Sequence, residues 1–452
     1  MTRIFARFMA VLAAIGLMAQ PAAAQSILRD AETEQLLQDM VDPLAEAAGL
    51  GEGAVEVVLV NDGSINAFVA GGQRIYIHSG LIGAADTANE VQGVLAHELG
   101  HITGGHILRF DEGVSNATNI TLLSLLVGIG AALAGSSDAA VGALALGQQA
   151  AMGSFLSFSR AQESSADAAG AKYLSEAGVS GRGSLTFFGK LQQREFRYGY
   201  SQSEEAGFAR THPLSGDRIA TLRADYEADA AWDTPSDPDL ERRFLQAKAK
   251  LFGYLAQPER TLEFYPPSDT SVPARYARAY AYHKEARLDM SLTETGALLE
   301  GDPDNPYFLE LRGQVLLESG KPLDALPPLR RATRLTGNHP LIASTFAHAL
   351  IATEDRQYLP EAEQVLRAAV GRDRENPFAW YQLGIVYGKQ GDMPRARLAS
   401  AEYAILTGKP AEALQNAQAA ERALPQGTPD WIRAQDVALQ ARAQLERERE
   451  RR

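Results

Sequence analysis

The chain has 452 residues, of which 45% are hydrophobic and 22% are charged, so it is a folded protein too long for one ordinary core. Its formal net charge of −13 argues against nucleic acid as a partner. Cysteine is absent, which excludes thiol catalysis, disulfides and a lipid-modified cysteine. A metal site in this chain must therefore use histidines and carboxylates.

Residues 1–24 are predicted to form a secretory signal peptide. Two arginines precede an apolar stretch over residues 8–19, and the small residues that follow end at a cleavage position after Ala24. The alternative is an uncleaved membrane anchor, but this stretch is well short of the roughly 20 residues that a spanning helix needs. We therefore expect an exported protein.

The first folded domain, residues 25–235, is predicted to combine a small sheet with helices. A helix is expected over residues 27–48 because its apolar residues recur with helical spacing. Strands are expected over residues 54–60, 66–69 and 74–78, which are rich in β-branched and aromatic residues and are separated by turn signals.

A helix that carries a metal motif is predicted after the strands. Thr87 and Glu90 have the spacing of a capping box, so the helix should begin there and continue past His101. Residues four apart share a helix face, so His97 and His101 can present ring nitrogens to one zinc ion. Glu98 projects at a neighbouring angle, from which it can take a proton from an attacking water. The alternative is a polar helix without a metal, but the chain has only 8 histidines and this pattern would rarely arise by chance.

Two histidines need a third protein ligand, and Glu163 is the best candidate. On a helix expected over residues 161–176, Glu163 and Asp167 lie four apart, so one can bind zinc while the other hydrogen-bonds a ligand histidine. Two solvated carboxylates are the alternative. His106 lies five residues beyond His101, roughly 140° round a continuous helix, so it should miss the metal and occupy a surface or groove.

Residues 113–159 form a long segment in which Asp138 is the single charged residue. Glycine, alanine and serine interrupt the apolar residues, as is typical of helices that pack closely. A buried or membrane-leaning helical hairpin is therefore favoured over two spanning helices. Peripheral contact with a membrane through this segment is an expectation of the sequence.

The second domain, residues 236–452, follows a linker rich in proline and aspartate and shows a helical repeat. Pro306, Pro340 and Pro377 each begin an apolar helical stretch, at spacings of 34 and 37 residues. The stretch after Pro377 contains the W-x2-L-G-x2-Y pattern of a tetratricopeptide repeat. An ordinary helical bundle is the alternative, but the near-34 period favours an all-α array of stacked helix pairs.

One strand of the small sheet is the predicted substrate site. An extended peptide can add as a further strand to an exposed sheet edge, which would lay it across the metal with its main chain held. We assign Asn66, Ala67 and Phe68 to this role. The alternative is an internal strand with both edges paired.

Taken together, these motifs resemble those of the HtpX and CAAX-prenyl-protease family of zinc endopeptidases. The signal peptide and the C-terminal repeats are similar to the periplasmic BepA branch of that family. The resemblance rests on the strand at residues 66–69, on His97-Glu98-Leu99-Gly100-His101, on Ser159-Arg160-x-x-Glu163-x-x-x-Asp167 and on Thr211-His212-Pro213-Leu214-Ser215-x-x-Arg218.

The resemblance implies an α+β fold, in which a gluzincin-type metalloprotease domain precedes the repeat array. It implies one zinc ion per chain, bound by the two motif histidines and Glu163, with Glu98 as general base and acid. It also implies that His212 and Arg218 lie near the active site, and we assign a catalytic role to both. There, His212 can approach the metal or the oxyanion. We expect His212 to be a regulator or oxyanion partner rather than an obligatory ligand.

Two functions are consistent with the sequence. The first is an exported protease that degrades unfolded or misassembled envelope proteins, with repeats that bind a partner or client. The resemblance implies that it acts in the periplasm and that its repeats bind the outer-membrane assembly machinery. The second is a chaperone or scaffold whose zinc site is vestigial or latched. The presence of Glu98 favours the protease, because a purely structural zinc site needs no general base.

Overall fold

The computed structural model describes residues 26–133, 137–198, 212 and 216–450, so the predicted signal peptide lies outside the described residues. The described chain begins with a small sheet packed among helices and continues as an array of paired helices. The predicted α+β domain followed by an all-α array is confirmed.

Four short strands form one sheet, and they are β1 (Ser26–Ile27), β2 (Glu56–Asn61), β3 (Ala67–Ala70) and β4 (Arg74–His78). Their spatial order is β1-β2-β4-β3. The central strands β2 and β4 are parallel, and β1 and β3 pair antiparallel to them as the two edges. Leu59 of β2 and Ile77 of β4 are opposite each other and buried, as the twofold period of a half-buried strand requires.

The helices around the sheet differ from the prediction mainly in their lengths. The first begins later than predicted, because Ser26–Ile27 pair with β2 and the Asp30 carboxylate caps the helix by accepting from Thr33 N at 2.8 Å. The helix predicted to start near residue 161 is the last part of a much longer one. The helices are α1 (Ala31–Ala47), α2 (Ser79–Ala84), α3 (Ala88–Thr103), α4 (His106–Leu133), α5 (Ser137–Glu176), α6 (Arg182–Tyr198) and α7 (Gly216–Glu227).

The metal motif lies on α3, whose start follows the predicted capping pattern with one change. The Thr87 hydroxyl accepts from Glu90 N at 3.2 Å. The Glu90 carboxylate reaches back to Asp86 N at 2.8 Å rather than to Thr87 N, and it also accepts from Lys190 Nζ of α6. This second contact fastens the start of α3 to a neighbouring helix.

Glycines allow α3 and α5 to approach each other closely. A Cβ atom at Gly100 would lie 2.5 Å from Ala166 O, and one at Gly170 would lie 2.9 Å from Ala96 O. A residue with a side chain fits at neither position without moving a backbone. The close crossing brings the metal motif of α3 against the part of α5 that carries Glu163.

The helices α4 and α5 form the predicted helical hairpin. The two arms are close at Gly147, where an added Cβ atom would clash with Ser124 Cβ. Among the helices of the described residues, none combines the length and the apolar character needed to cross a membrane.

The repeat array begins its predicted helices at the predicted prolines. Asn305 and Asn376 cap two of them by accepting from Tyr307 N at 3.1 Å and from Ala379 N at 3.0 Å. The array consists of α8 (Pro238–Leu255), α9 (Pro258–Phe264), α10 (Val272–Lys284), α11 (Leu288–Gly301), α12 (Pro306–Glu318), α13 (Pro322–Leu335), α14 (Pro340–Ala352), α15 (Leu359–Arg372), α16 (Pro377–Gln390), α17 (Met393–Leu406), α18 (Pro410–Ala423) and α19 (Pro429–Glu450).

The array packs directly against the sheet domain. Phe244 and Leu251 of α8 belong to the same core as the sheet. At the other side of the junction, Ala31 of α1 packs against Leu309 and Ile342 of the array. The domain boundary at residue 235 stays a prediction.

Candidate metal centre

Two histidines of α3 form one side of the centre. His97 and His101 are one helical turn apart, and their Nε2 atoms lie 3.2 Å from each other. Both rings are buried, with 2% and 8% of the residue exposed. The shared helix face that the spacing predicts is therefore turned inward.

Glu163 of α5 forms the opposite side. Its Oε2 atom lies 3.4 Å from His97 Nε2 and its Oε1 atom lies 3.5 Å from His101 Nε2. Glu163 is 4% exposed, so its carboxylate is removed from water. The structure thus brings the predicted third ligand to both histidines, although its role as a ligand stays a prediction.

His212 completes the group. Its Nδ1 atom lies 3.3 Å from His97 Nε2 and 3.1 Å from Glu163 Oε1. With His101, these side chains offer four donor atoms within 4.8 Å of one another. His212 was expected near the centre as a regulator or oxyanion partner, and in this conformation it stands among the candidate ligands.

The donor set fits a zinc ion. In a tetrahedral site with zinc to nitrogen or oxygen distances near 2.0–2.1 Å, neighbouring donor atoms lie about 3.3 Å apart. The shortest distances from Glu163 to the three histidines, and from His97 to the other two, run from 3.1 Å, for His212 Nδ1 to Glu163 Oε1, to 3.5 Å, for His101 Nε2 to Glu163 Oε1. Imidazole nitrogens and a carboxylate are also the ligands that zinc accepts in a chain without cysteine.

Asp167 and Arg218 contact the candidate ligands His97 and Glu163. Asp167 Oδ1 lies 2.9 Å from His97 Nδ1, which orients that ring with its other nitrogen toward the centre. Arg218 donates to both oxygens of Asp167, at 2.7 and 2.8 Å, and its Nη1 atom lies 3.0 Å from Glu163 Oε2. Asp167 therefore lies against a candidate ligand histidine, and Arg218, predicted as catalytic, lies against the two carboxylates. The roles of both residues stay predictions.

His106 was missed as a part of the centre. It was expected at a surface or in a groove, but it is 6% exposed and its Nδ1 atom lies 2.9 Å from His101 Nδ1. The expectation assumed a continuous helix. The chain instead breaks after Thr103, with Gly105 at a φ of 62°, and His106 begins the next helix. The Gly104-Gly105 pair was the sequence signal for this break.

Glu98 is fully buried next to the donor group. Neither of its carboxylate oxygens has a hydrogen-bond partner among the described residues, although His212 Nε2 lies 3.4 Å from Oε1. Burial raises the pKa of Glu98. A carboxylate held in this way is suited to exchange a proton rather than to serve as one end of a permanent ion pair.

The charges around the centre favour a cation. Burial alone would lower the pKa of His97, but hydrogen bonds and negative charge from Asp167 and Glu163 outweigh it and raise the pKa to about 10. Burial and the neighbouring His97 and His212 lower the pKa of His101 to about 2. His101 is therefore neutral near pH 7, which is the form that binds a metal.

The predicted substrate strand lies at an edge of the sheet. Ala67 and Phe68 belong to β3, which pairs only with β4 among the described strands and also contacts α3. The carbonyl of Asn66 accepts from His78 N at 3.0 Å, and the Phe68 ring stacks on Tyr76 with centroids 5.1 Å apart. Their role in binding substrate stays a prediction.

Comparison with known proteins places this site in a family. A model of peptidase family M48 matches residues 31–225. The chain is 26% identical over 363 residues to a beta-barrel assembly-enhancing protease of Yersinia pestis, and the alignment covers 79% of this chain and 72% of the relative. It is 31% identical over 215 residues to a protease HtpX homolog of Janthinobacterium sp. (strain Marseille), covering 42% of this chain and 72% of the relative. Among solved structures, the chain is similar to YrrB, a TPR protein with an unusual peptide-binding site, at a TM-score of 0.32 and 23% identity over 39% of this chain and 91% of that one.

The sheet, the helices and the buried donor group define a metalloprotease that is followed by a repeat array. The chain belongs to peptidase family M48. The resemblance to HtpX-type proteases that the motifs indicated is confirmed.

Proposed function

We propose that the protein is a zinc metalloendopeptidase of the periplasm that cleaves unfolded or misassembled envelope proteins. The observation that carries this proposal is the buried group of two histidines, a glutamate and Glu98 on two crossing helices. His97, His101 and Glu163 would hold the ion. The family membership supports the same conclusion, because its members are metallopeptidases.

Glu98 is the proposed general base and acid. A zinc ion held by the donor group would polarise the scissile carbonyl and make water more acidic. Glu98 lies beside that group with no hydrogen bond to occupy its oxygens among the described residues, so it can take the proton from the attacking water. The same carboxyl can then give the proton to the leaving amine.

His212 is proposed to close the resting site. Two histidines and a glutamate leave a fourth position for water in a catalytic zinc site, whereas four protein donors make a closed one. His212 Nδ1 lies 3.1 Å from Glu163 Oε1, which supports a closed resting site. His212 must therefore withdraw before a water and a substrate can enter, and this would make it the regulator that the sequence predicts.

The substrate is proposed to bind along β3. As an edge strand, β3 has one side that no described strand covers, so a peptide in extended form can pair with it. Ala67→Pro would place a residue without an N–H in the strand. We expect this substitution to raise the Michaelis constant, and an unchanged value in a folded variant would contradict the assignment.

The repeats are proposed to bind protein partners in the envelope, including the outer-membrane assembly machinery. Stacked helix pairs present an extended surface to a partner, and the similarity to a protein named beta-barrel assembly-enhancing protease supports this choice. A chaperone or scaffold with a latched site is the second candidate. The position of His212 in the donor group favours it, because a closed site does not cleave.

Metal analysis and casein digestion test the proposal. The unsubstituted protein, called the parent, should contain one zinc ion per chain. It should digest casein when His212 has withdrawn from the site. Glu98→Gln should keep the metal and lose digestion, whereas His97→Ala and Glu163→Ala should lose the metal. Glu46→Gln, an exposed change on α1, is the matched control and should alter neither property.

His212→Ala separates the two candidates. In a latched protease this change opens the fourth position, so digestion should rise while zinc is retained. If His212→Ala and the parent both bind zinc and neither digests casein or an unfolded envelope protein, the scaffold is the correct function.

A further inference from the structure

The outer part of the helical hairpin exposes an unusual number of large apolar side chains. On α4, Leu122, Leu123, Leu125, Leu126 and Val127 are between 45% and 67% exposed. Single exposed apolar residues are ordinary on a protein surface, but a contiguous group of this kind marks an interaction site.

The facing arm of the hairpin is exposed in the same way. Val141, Leu144 and Leu146 of α5 are 67%, 42% and 69% exposed. We call residues 122–127 and 141–146 together the distal apolar surface. It lies away from the metal centre, which is at the other end of the same two helices.

The exposed side chains are spread around each arm rather than along one stripe. At about 100° per residue, the consecutive Leu125, Leu126 and Val127 cover roughly 200° of α4. Leu144 and Leu146 are separated by the same arc on α5. A single protein neighbour covers one face of a helix, whereas the hydrocarbon of a bilayer covers every outward side.

The distal apolar surface is also free of charge. Between residues 114 and 159, Asp138 is the single charged residue of the sequence. The Ser124 hydroxyl donates to Thr121 O at 2.7 Å, so it needs no water. An uncharged surface on helices whose backbone groups are bonded within the helix is complementary to hydrocarbon.

We propose that the distal apolar surface inserts into the hydrocarbon of a lipid bilayer from one side. From Leu122 to Leu133 the helix rises about 17 Å, which is roughly half of the ~30 Å hydrocarbon core. Insertion without crossing agrees with the lack of a spanning helix among the described residues. His106 begins α4 about 24 Å before Leu122, so the metal centre would stay outside the bilayer.

Vesicle flotation tests the proposal. The full-length protein is mixed with phosphatidylcholine vesicles at low and high salt, after its mass has shown whether residues 1–24 are retained. The parent should float with the vesicles at both salt concentrations, because the contact is apolar. The double substitution Leu123→Glu and Leu126→Glu should reduce the bound fraction at least ten-fold.

The matched control changes two leucines of equal exposure in the repeat array. Leu323 and Leu439 are 61% and 60% exposed, and their replacement by glutamate should leave flotation unchanged. Asp138→Asn should bind vesicles more tightly, because it removes the one charge in the sequence between residues 114 and 159. Zinc content and casein digestion in solution should be the same in all four proteins, so failure of this proposal is distinguishable from failure of the proposed function.

Three results would overturn the insertion. The parent fails to float, or the hairpin variant floats as well as the parent, or Asp138→Asn binds no better. If the parent does not bind vesicles and is a dimer that the substitutions at Leu123 and Leu126 dissociate, a second copy of the chain covers this surface instead.

Discussion

Replacing Arg218 separates a positioning role from a catalytic one. Arg218 is 8% exposed, donates to both oxygens of Asp167 and lies 3.0 Å from Glu163 Oε2. Arg218→Ala would leave these two buried carboxylates without their guanidinium. Breaking a buried ion pair by removing one partner typically costs 3–5 kcal/mol, and we expect about 3 kcal/mol because His97 still faces both carboxylates.

Thermal unfolding of the metal-free protein is the direct assay. For a folded unit of about 200 residues, a loss of about 3 kcal/mol lowers the Tm by roughly 6–12 °C. Arg218→Lys keeps the charge but not the two parallel hydrogen bonds, so its Tm should lie between those of the parent and Arg218→Ala. Arg223→Ala, on the same helix, removes only an exposed contact to Glu227 and should change the Tm little.

Zinc affinity is the second measurement for Arg218→Ala. Asp167 orients His97, so loosening Asp167 should weaken zinc binding about 10- to 100-fold. The reasoning is refuted if Arg218→Ala keeps the parental Tm and zinc affinity and loses only kcat. Arg218 would then act on the substrate, as the family resemblance suggested.

Gly100, His106 and Glu310 can each be tested by a single substitution. Gly100→Ala should weaken zinc binding at least ten-fold in equilibrium dialysis, because the added Cβ would lie 2.5 Å from Ala166 O and push the two ligand helices apart. A parental zinc affinity would mean that the close approach of α3 and α5 is not needed for zinc binding. His106→Ala should weaken zinc binding about 10- to 100-fold, because it removes the buried partner of His101, and a parental zinc affinity would show that His106 does not orient that ring. Burial raises the pKa of Glu310 to about 7, above its usual 4.5, so this residue ionises at a lower pH in the unfolded chain than in the folded one. The free energy of unfolding should therefore fall by about 3 kcal/mol as the pH rises from about 4.5 to 7. Glu310→Gln should therefore have a higher Tm than the parent at pH 8 and the same Tm at pH 4, and an equal Tm at both would contradict the raised pKa.

The sequence by itself determined the features that depend on neighbours within one or two helical turns. The spacing of His97 and His101 places them on one helix face in any fold that keeps the helix. The prolines at 306, 340 and 377 fix φ at a helix start, so the starts of those repeat helices were predictable to the residue.

Local sequence patterns gave wrong predictions of residue position where the backbone changes direction. A continuous helix after His101 would have carried His106 away from the centre, but the backbone turns at Gly105 and returns the ring to His101. The hairpin helices could be expected but not bounded, because alanine, glycine and serine carry little periodic signal. Helix α5 accordingly begins at Ser137 rather than near residue 161.

Only the tertiary structure decided which distant residues meet. Glu163 could be proposed because a ligand was missing, but its approach to both histidines depends on the contact of Gly100 with Ala166 across two helices. His212 reaches His97 over 115 positions of sequence, and no local spacing encodes such a distance. The reason is physical: side-chain periodicity fixes a direction relative to one helix axis, whereas the meeting of two helices is fixed by the close packing of the whole core.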